Sequence, residues 1–578
     1  MLSSTVNYII SPDNDTKNTG LNQSIKMDAM SETRLDLGYL RSQIVGVDAK
    51  IRTPFGERLM LYADYTASGR SLHFVEDYLV HLQQLYANSH TEDDTSGRVT
   101  TELLHQAEER IKLAVNAGPD GRIIACGTGA TGAIDRMQQL VGVKLPAAGR
   151  ELLNGLMQGF LGLQQAADFE AYCQRNQPVV FVGPYEHHSN EISWRESLVT
   201  VVEVAMADDG GIDLQHLECL LQDPAYQGRM RIGSFSAASN VTGIRSPIEE
   251  LAKLLHRYDA LAFFDFAASA PYVPIDMNPK AAEREDGVFL DAVFISPHKF
   301  LGGPGASGLL IFNKRCYHPE LPPSMAGGGT VDYVGPVDHD FIHDIEAREK
   351  AGTPGILQTL KAALVFELKE VVGIDLIEQR EADMLRRAFD RWGALPWIEI
   401  LGNPDPARRV GIVSFNIKDP KGQYLHPRLI TTLLNDLFGI QTRAGCSCAG
   451  PYGHQLLGID EHKAEEYRSW ITRGYHGIKP GWCRVGFHFV FDDAEVEYLL
   501  SCVEFVAEHG HKFVHQYHFD AKSGGWQHKE WQQPAVSFSL RDALQTEVSR
   551  PRSLSAERRQ QAYRGYLDQA EKLARRVP

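Results

Sequence analysis

The stretch AVFISPHKFLGGPGASGLLIFNK, residues 292–314, decides how the rest of the chain is read. Four apolar residues run into Ser296-Pro297-His298-Lys299, glycines follow at 302, 303, 305 and 308, and a second apolar run spans Leu309 to Phe312. Short continuous apolar runs bounded by turn residues mark strands buried on both faces. Lys299 therefore sits at the lip of a buried strand, in a loop too rich in glycine for a helix. On position alone, such a lysine is a surface residue whose stem lies along apolar neighbours while its ammonium reaches water. Its company argues for chemistry.

Similar runs recur upstream: PVVFVGPY (178–185), LVTVVEVA (198–205), RIGSFSAAS (231–239) and ALAFFDFA (260–267), with helical segments such as SPIEELAKLLHRY between them. Strands of this kind alternating with helices predict an α/β fold whose parallel sheet is covered on both faces. Such sheets bind ligands beyond the carboxyl ends of their strands. FFDFAASAP puts Asp265 at one such end, one crossover before Lys299. An Asp there is also an ordinary turn former or helix cap. An acid and an amine at one sheet edge nevertheless suit pyridoxal phosphate, with the lysine as its Schiff-base partner and the carboxylate keeping the pyridine nitrogen protonated.

A phosphate needs an anion cradle, and the turn CGTGATGAID offers backbone N–H groups at Gly129 and Ala130 and a hydroxyl at Thr131, at a helix N-terminus. The turn has neither the P-loop lysine nor the full dinucleotide-binding spacing. Ser296 and His298 extend the cup. In GPYEHHSNEISWRE, His187 follows a strand at the same edge and is placed to stack on a cofactor ring. The alternatives are a pair of loop histidines, or a metal site with Glu191. The spacing matches no common zinc motif, so no metal is expected.

Of the 578 residues, 23% are charged and 43% hydrophobic, the values of a globular protein, and the net charge of -16 gives no basic face for nucleic acid. Neither a signal-peptide pattern nor an apolar run of about eighteen residues is present, so a cytoplasmic protein without a membrane span is expected. Eight cysteines are too sparse for a disulfide framework and suit a reducing compartment. Residues 1–38, rich in Ser, Asn, Asp and Thr, read as a poorly ordered lead-in. Residues 39–340 read as a large domain with a helical insertion at about 141–175, residues 341–510 as a smaller α+β domain, and residues 511–578 as a polar C-terminal extension ending in a helix.

The succession GAT, EHHSN, SNVTG, DFAA, SPHK, GGGT, RAGCSC and CRVGF resembles the class V aminotransferase family of fold-type I pyridoxal phosphate enzymes. Within it the similarity is greatest to the short-loop cysteine desulfurases, over roughly residues 58–505. The resemblance implies a mainly parallel seven-stranded sheet flanked by helices, plus a smaller α+β C-terminal domain. It implies that Lys299 is the Schiff-base lysine, that Asp265 pairs with the pyridine nitrogen, and that His187 stacks on the ring and serves as a nearby acid or base. By the same resemblance, Asn240 lies near the phenolic oxygen, and Gly129, Ala130, Thr131, Ser296 and His298 take the phosphate. Thr330 of GGGT belongs to a segment that relatives donate to a neighbouring subunit, which implies a homodimer.

In QTRAGCSCAGPYGH, Arg443, Gly445 and Cys448 match the pattern that carries the family's nucleophile. Cys448 is thus expected to take sulfur from L-cysteine, leaving L-alanine and an enzyme persulfide. Arg443 beside it favours the thiolate and is grouped with Arg484 of GWCRVGFHF as substrate-binding. Arg484 matches the arginine that grips the substrate carboxylate bidentately, a strand-edge charge being the alternative. Cys446 is a resolving or relay thiol, a metal ligand, or incidental. In one departure, Asp-x-Ala-Gln becomes Asp265-Phe266-Ala267-Ala268, with Ser269 the nearest hydroxyl offered in place of the glutamine. This leaves room for an amino-acid lyase, an epimerase or a molybdenum-cofactor-sulfurase-like enzyme, and for a non-catalytic scaffold that binds a sulfur-acceptor protein.

Overall fold

The apolar runs become seven strands: β1 (Gly121–Ala125), β2 (Val179–Val182), β3 (Thr200–Glu203), β4 (Arg231–Ser236), β5 (Leu261–Asp265), β6 (Ala292–Ile295) and β7 (Leu309–Asn313). This computed structural model describes residues 36–576 apart from 90, 92, 281–286, 537, 547–549, 551 and 552, so nearly all of the lead-in read at 1–38 lies outside the described residues. The strands form one sheet in the order β1-β7-β6-β5-β4-β2-β3. β7 runs antiparallel to both of its neighbours and the remaining pairings are parallel. The carboxyl ends of β1, β2, β4, β5 and β6 therefore share one edge.

Val179, Val180, Phe181 and Val182 are all buried, because alternate side chains enter two different cores. Val179 and Phe181 pack into one hydrophobic cluster, Val180 and Val182 into the other. Helices cover both faces; one of them, Ile248–Arg257, has Glu249 and Glu250 in its first turn and His256 and Arg257 in its last, complementing the helix dipole.

A second, antiparallel sheet contains β8 (Ile398–Ile400), β9 (Ile412–Ile417), β10 (Arg443–Gly445) and β11 (Trp482–Gly486), in the order β8-β9-β11-β10. Helices Pro427–Phe438 and Asp493–Phe513 pack beside it. One link between the two halves comes from an early segment: Leu61–Tyr62 pairs in parallel with Ile440–Gln441, just before β10.

Within the stretch read as an insertion, helices Ala147–Leu161 and Leu163–Asn176 pack on each other. They leave Leu152, Leu156, Phe160 and Leu163 exposed.

The segment after 511 is more structured than its polar composition suggests. Tyr517–Phe519 and Trp526–His528 form a hairpin, and helix Ala556–Arg576 packs on Asp493–Phe513. Tyr563 stacks on Tyr498 with ring centroids 3.9 Å apart and planes 5° from parallel. Arg559, itself buried, pairs with Asp492 and lies 3.7 Å from Asp48, which also accepts Arg41 at 2.9 Å. Arg41 reaches Glu495 at 2.7 Å, so both ends of the described chain meet in one ionic cluster on the smaller half.

Tyr563→Ala is expected to cost about 3–5 kcal/mol, as truncation of a large buried aromatic does. Arg564→Ala, on the helix's exposed face, should stay within about 0.5 kcal/mol of wild type. Urea unfolding monitored by circular dichroism checks both.

Candidate active site

At the shared strand edge the chain encloses an open cavity of about 540 Å³. Lys299 reaches it from the loop after β6, at the end of the single 3₁₀ turn Pro297–Lys299. The glycines allow the backbone to double back there: a Cβ on Gly303 would sit 1.9 Å from the carbonyl oxygen of Pro297. Asp265 enters from the end of β5, next to β6, is 4% exposed, and accepts a 2.8 Å hydrogen bond from the Ala267 N–H. Burial pushes the Lys299 amine down to about 8, with Asp265 opposing, and pushes the Asp265 carboxyl up against its bond to Ala267 and the charge of Lys299.

His187 lines the cavity from the loop after β2. Its Nδ1 accepts the Ser189 N–H at 3.1 Å, which leaves the proton on Nε2. Burial first, then the charge of Lys299, lower its pKa to about 4, so the ring is neutral at physiological pH.

The glycine turn after β1 forms a polar cup. Ser296 Oγ accepts the Ala130 N–H at 2.9 Å, the hydroxyls of Thr131 and Ser189 meet at 2.7 Å, and His298 Nδ1 lies 2.8 Å from the Thr128 carbonyl. A Cβ on Gly129 would fill the cup, 3.0 Å from His298 Cε1 and 3.1 Å from Ser296 Oγ. Hydroxyls and N–H groups around a space that only glycine leaves open, at the start of helix Ala130–Leu140, fit a phosphate. The acid and amine across the cavity fit a protonated pyridine nitrogen and an aldehyde. The donor set therefore suits pyridoxal phosphate.

Thr330 is not part of this cavity. It is fully buried, donates its hydroxyl to the Gly327 carbonyl at 2.7 Å and accepts the Gly327 N–H at 3.2 Å, so its hydroxyl closes the GGGT turn. The exposed part of that turn is Gly327 and Gly328. Ala268 lines the cavity, whereas Ser269 is 1% exposed, has no partner for its Oγ and does not line it; the serine does not stand in for the missing glutamine.

The thiol loop leaves β10 as a tight turn closed by the Ala449 N–H on the Cys446 carbonyl, 3.1 Å. Ser447 and Cys448 sit at its centre with φ of 50° and 57°, a left-handed conformation that costs non-glycine residues about 1–2 kcal/mol each. Asn240 Nδ2 donates to the Ser447 carbonyl at 2.7 Å, the His188 N–H donates to the Cys448 carbonyl at 2.8 Å, and Gly450 N–H donates to His188 Nε2 at 3.0 Å. Cys448 is exposed and lines the cavity. Cys446 is half-buried against the smaller half's core. Among the described residues no three His, Cys, Asp or Glu side chains gather to hold a metal.

Asn240 lines the cavity; its amide nitrogen holds the thiol loop, while its Oδ1 is buried without a partner.

Arg484, on β11, is 4% exposed; Nη1 donates to the Asn240 carbonyl at 2.9 Å and Nη2 to Asp64 Oδ1 at 2.7 Å. Arg443, directly opposite on β10, lies 3.5 Å from Asp64 Oδ2. Burial lowers the Arg484 pKa and Asp64 opposes it.

Two residues had no place in the sequence reading. Asp64 lies in ADYTASG, where an aspartate is an ordinary turn former. Glu186 stood unassigned inside EHHSN, yet it is 3% exposed and ties β2 to β4 by accepting the Ser236 N–H at 2.9 Å, the Ser236 hydroxyl at 2.7 Å and the Asn190 amide at 2.7 Å. Burial pushes its carboxyl up to about 7. The only local signal was an acid next to two histidines at a strand end.

In cofactor-free protein, borohydride trapping of a small aldehyde on Lys299 should rise through pH of about 8, below the usual lysine range near 10.4. Asp265→Asn should lower that midpoint further, because the Asp265 charge favours the ammonium. Mass spectrometry of the labelled peptide at each pH reads the midpoint.

Comparison with known proteins agrees with this geometry. The family model described as aminotransferase class-V matches residues 166–499. A probable cysteine desulfurase of Halalkalibacterium halodurans is 30% identical over 276 residues, 47% of this chain, and the match spans 62% of that relative. A probable cysteine desulfurase of Staphylococcus aureus is 26% identical over 430 residues, 73% of this chain and 90% of the relative. Among solved structures, the apo cysteine desulfurase of Thermococcus onnurineus superposes with a TM-score of 0.59 at 20% identity, covering 78% of this chain and 94% of the other. The Escherichia coli cysteine desulfurase CsdA gives 0.58 at 19% identity, covering 81% and 98%. These likenesses establish the fold-type I architecture. With more than half of its length matched by the family model, the chain belongs to the class V aminotransferases.

Proposed function

We propose that this protein is a pyridoxal phosphate-dependent cysteine desulfurase that takes sulfur from L-cysteine, forms a persulfide on Cys448 and releases L-alanine. The observation that carries this reading is the presence of Cys448, exposed and loop-borne, in the same cavity as Lys299, Asp265, the anion cup and Arg484. Family membership and relatives named as probable cysteine desulfurases support it.

Lys299, Asp265, His187 and the cup would hold pyridoxal phosphate, which when bound would supply an electron sink for the substrate's Cα and open its sulfur to attack. Arg484 anchors the substrate carboxylate through its remaining N–H donors, which fixes the thiol end toward the loop. Lys299 Nζ, with its pKa near 8, carries the proton from Cα and later returns it. His187, neutral, presents its Nε2–H as a hydrogen-bond donor. The Cys448 thiolate attacks the substrate sulfur: an S–S bond forms, the Cβ–S bond breaks, and its electron pair stays on Cβ, which takes a proton to become the methyl of alanine.

A homodimer belongs to the same proposal. Beside the exposed glycines of GGGT, the hairpin Val331–Val334 and His339–Phe341 leaves Tyr333, Val334 and Val337 60%, 65% and 89% exposed, an apolar edge suited to a second copy. No helix among the described residues is long and apolar enough to cross a membrane. The same proposal places the protein in the cytoplasm, with a sulfur-acceptor protein as the persulfide's outlet.

Holoenzyme given L-cysteine should release alanine and carry one extra sulfur on Cys448 by mass spectrometry. Cys448→Ala should lower sulfur release about 100-fold, equivalent to about 2.7 kcal/mol of barrier, while keeping its cofactor absorbance. A variant that still releases sulfide at the wild-type rate would instead mark a lyase.

A further inference from the structure

We propose that Asp64 is a substrate-specificity residue: by spanning Arg484 and Arg443 it reduces the charge at the carboxylate end of the site to a single positive unit, which selects amino acids with uncharged side chains over acidic ones. This rests on the reading of the cavity as an amino-acid site, but not on desulfuration.

Arg443 and Arg484 face each other across an antiparallel pair, where like charges repel. Each carboxylate oxygen of Asp64 answers one of them, Oδ1 taking Arg484 at 2.7 Å and Oδ2 lying 3.5 Å from Arg443. The Asp64 backbone is pinned from both sides. The Ala63 N–H donates to the Gln441 carbonyl at 2.9 Å, the Gly486 N–H donates to the Ala63 carbonyl at 2.7 Å, and the Ala67 N–H closes a turn on the Asp64 carbonyl at 2.9 Å. Gln441 precedes β10 and Gly486 ends β11, so the same pairings that place the two arginines place the acid between them.

The cofactor end of the cavity acts equally on two amino acids that differ only in side-chain charge. The arginine end therefore sets the charge seen by a substrate carboxylate: two guanidiniums less one carboxylate. A substrate with one carboxylate matches that balance. One with two leaves a negative charge unanswered in a partly desolvated space.

The test uses L-asparagine and L-aspartate, nearly identical in shape and different by one charge, with dissociation constants on the holoenzyme measured by calorimetry. Wild type should prefer asparagine. Asp64→Asn should shift the ratio of the two constants about tenfold or more toward aspartate, equivalent to about 1.4 kcal/mol. Asp64→Glu, which restores the charge, should stay within about threefold of wild type. Arg443→Gln, at a half-exposed position that does not threaten folding, should move the ratio the opposite way.

A folded Asp64→Asn protein with an unchanged ratio overturns the inference, as does Asp64→Glu behaving like Asp64→Asn, or Arg443→Gln leaving the ratio unmoved. If wild type binds asparagine and the ratios shift but L-cysteine yields no alanine, the desulfurase reading fails and the role of Asp64 stands. If neither amino acid binds wild type, both fail.

Discussion

Lys299 and Asp265 emerge from adjacent parallel strands into the same buried space, and neither charge is stable there alone. Burial drives the amine toward neutrality and the carboxyl toward protonation, while their mutual attraction opposes both. The compromise leaves a lysine with a pKa near 8, a base strong enough to take a proton and neutral often enough to act as a nucleophile. Such a pair needs strands that end side by side with backbone folded tightly around them. The parallel sheet supplies the first condition. Gly303, whose replacement would drive a Cβ into the Pro297 carbonyl, supplies the second.

What could be read from the sequence was the part encoded locally. Apolar runs gave the strands, the alternation with helices gave a mainly parallel sheet, and residues at strand ends gave an amine, an acid, a glycine turn and a histidine that line one cavity. The thiol loop and its arginine came from likeness to a family rather than from pattern. Hidden were contacts between residues far apart in the chain. Asp64 meets Arg443 across 379 positions and Arg484 across 420, and nothing in ADYTASG marks it as more than a turn. The hairpin after residue 511 was equally obscure; the terminal helix was readable, but its packing was not, because buried positions such as Tyr563, Ala570 and Ala574 are sparse among charged neighbours. Asn240 was placed in the right cavity, but its partner is the thiol loop, a contact that depends on how the smaller half docks.

That docking connects the parts of the site. The thiol turn is strained at Ser447 and Cys448, and a strained turn persists only when its surroundings hold it. The bonds to its carbonyls come from the larger sheet's loops, Asn240 after β4 and His188 after β2. The Asn240 carbonyl also receives Arg484. One residue thus touches both the thiol loop and Arg484, while its Oδ1 is buried without a partner. The two halves meet at Ser447, Cys448 and Arg484 on one side and at Asn240 and His188 on the other. In the proposed reaction the amine comes from the larger sheet and the anchor and nucleophile from the smaller half, so the bonds made at Asn240 and His188 fix how those groups face one another.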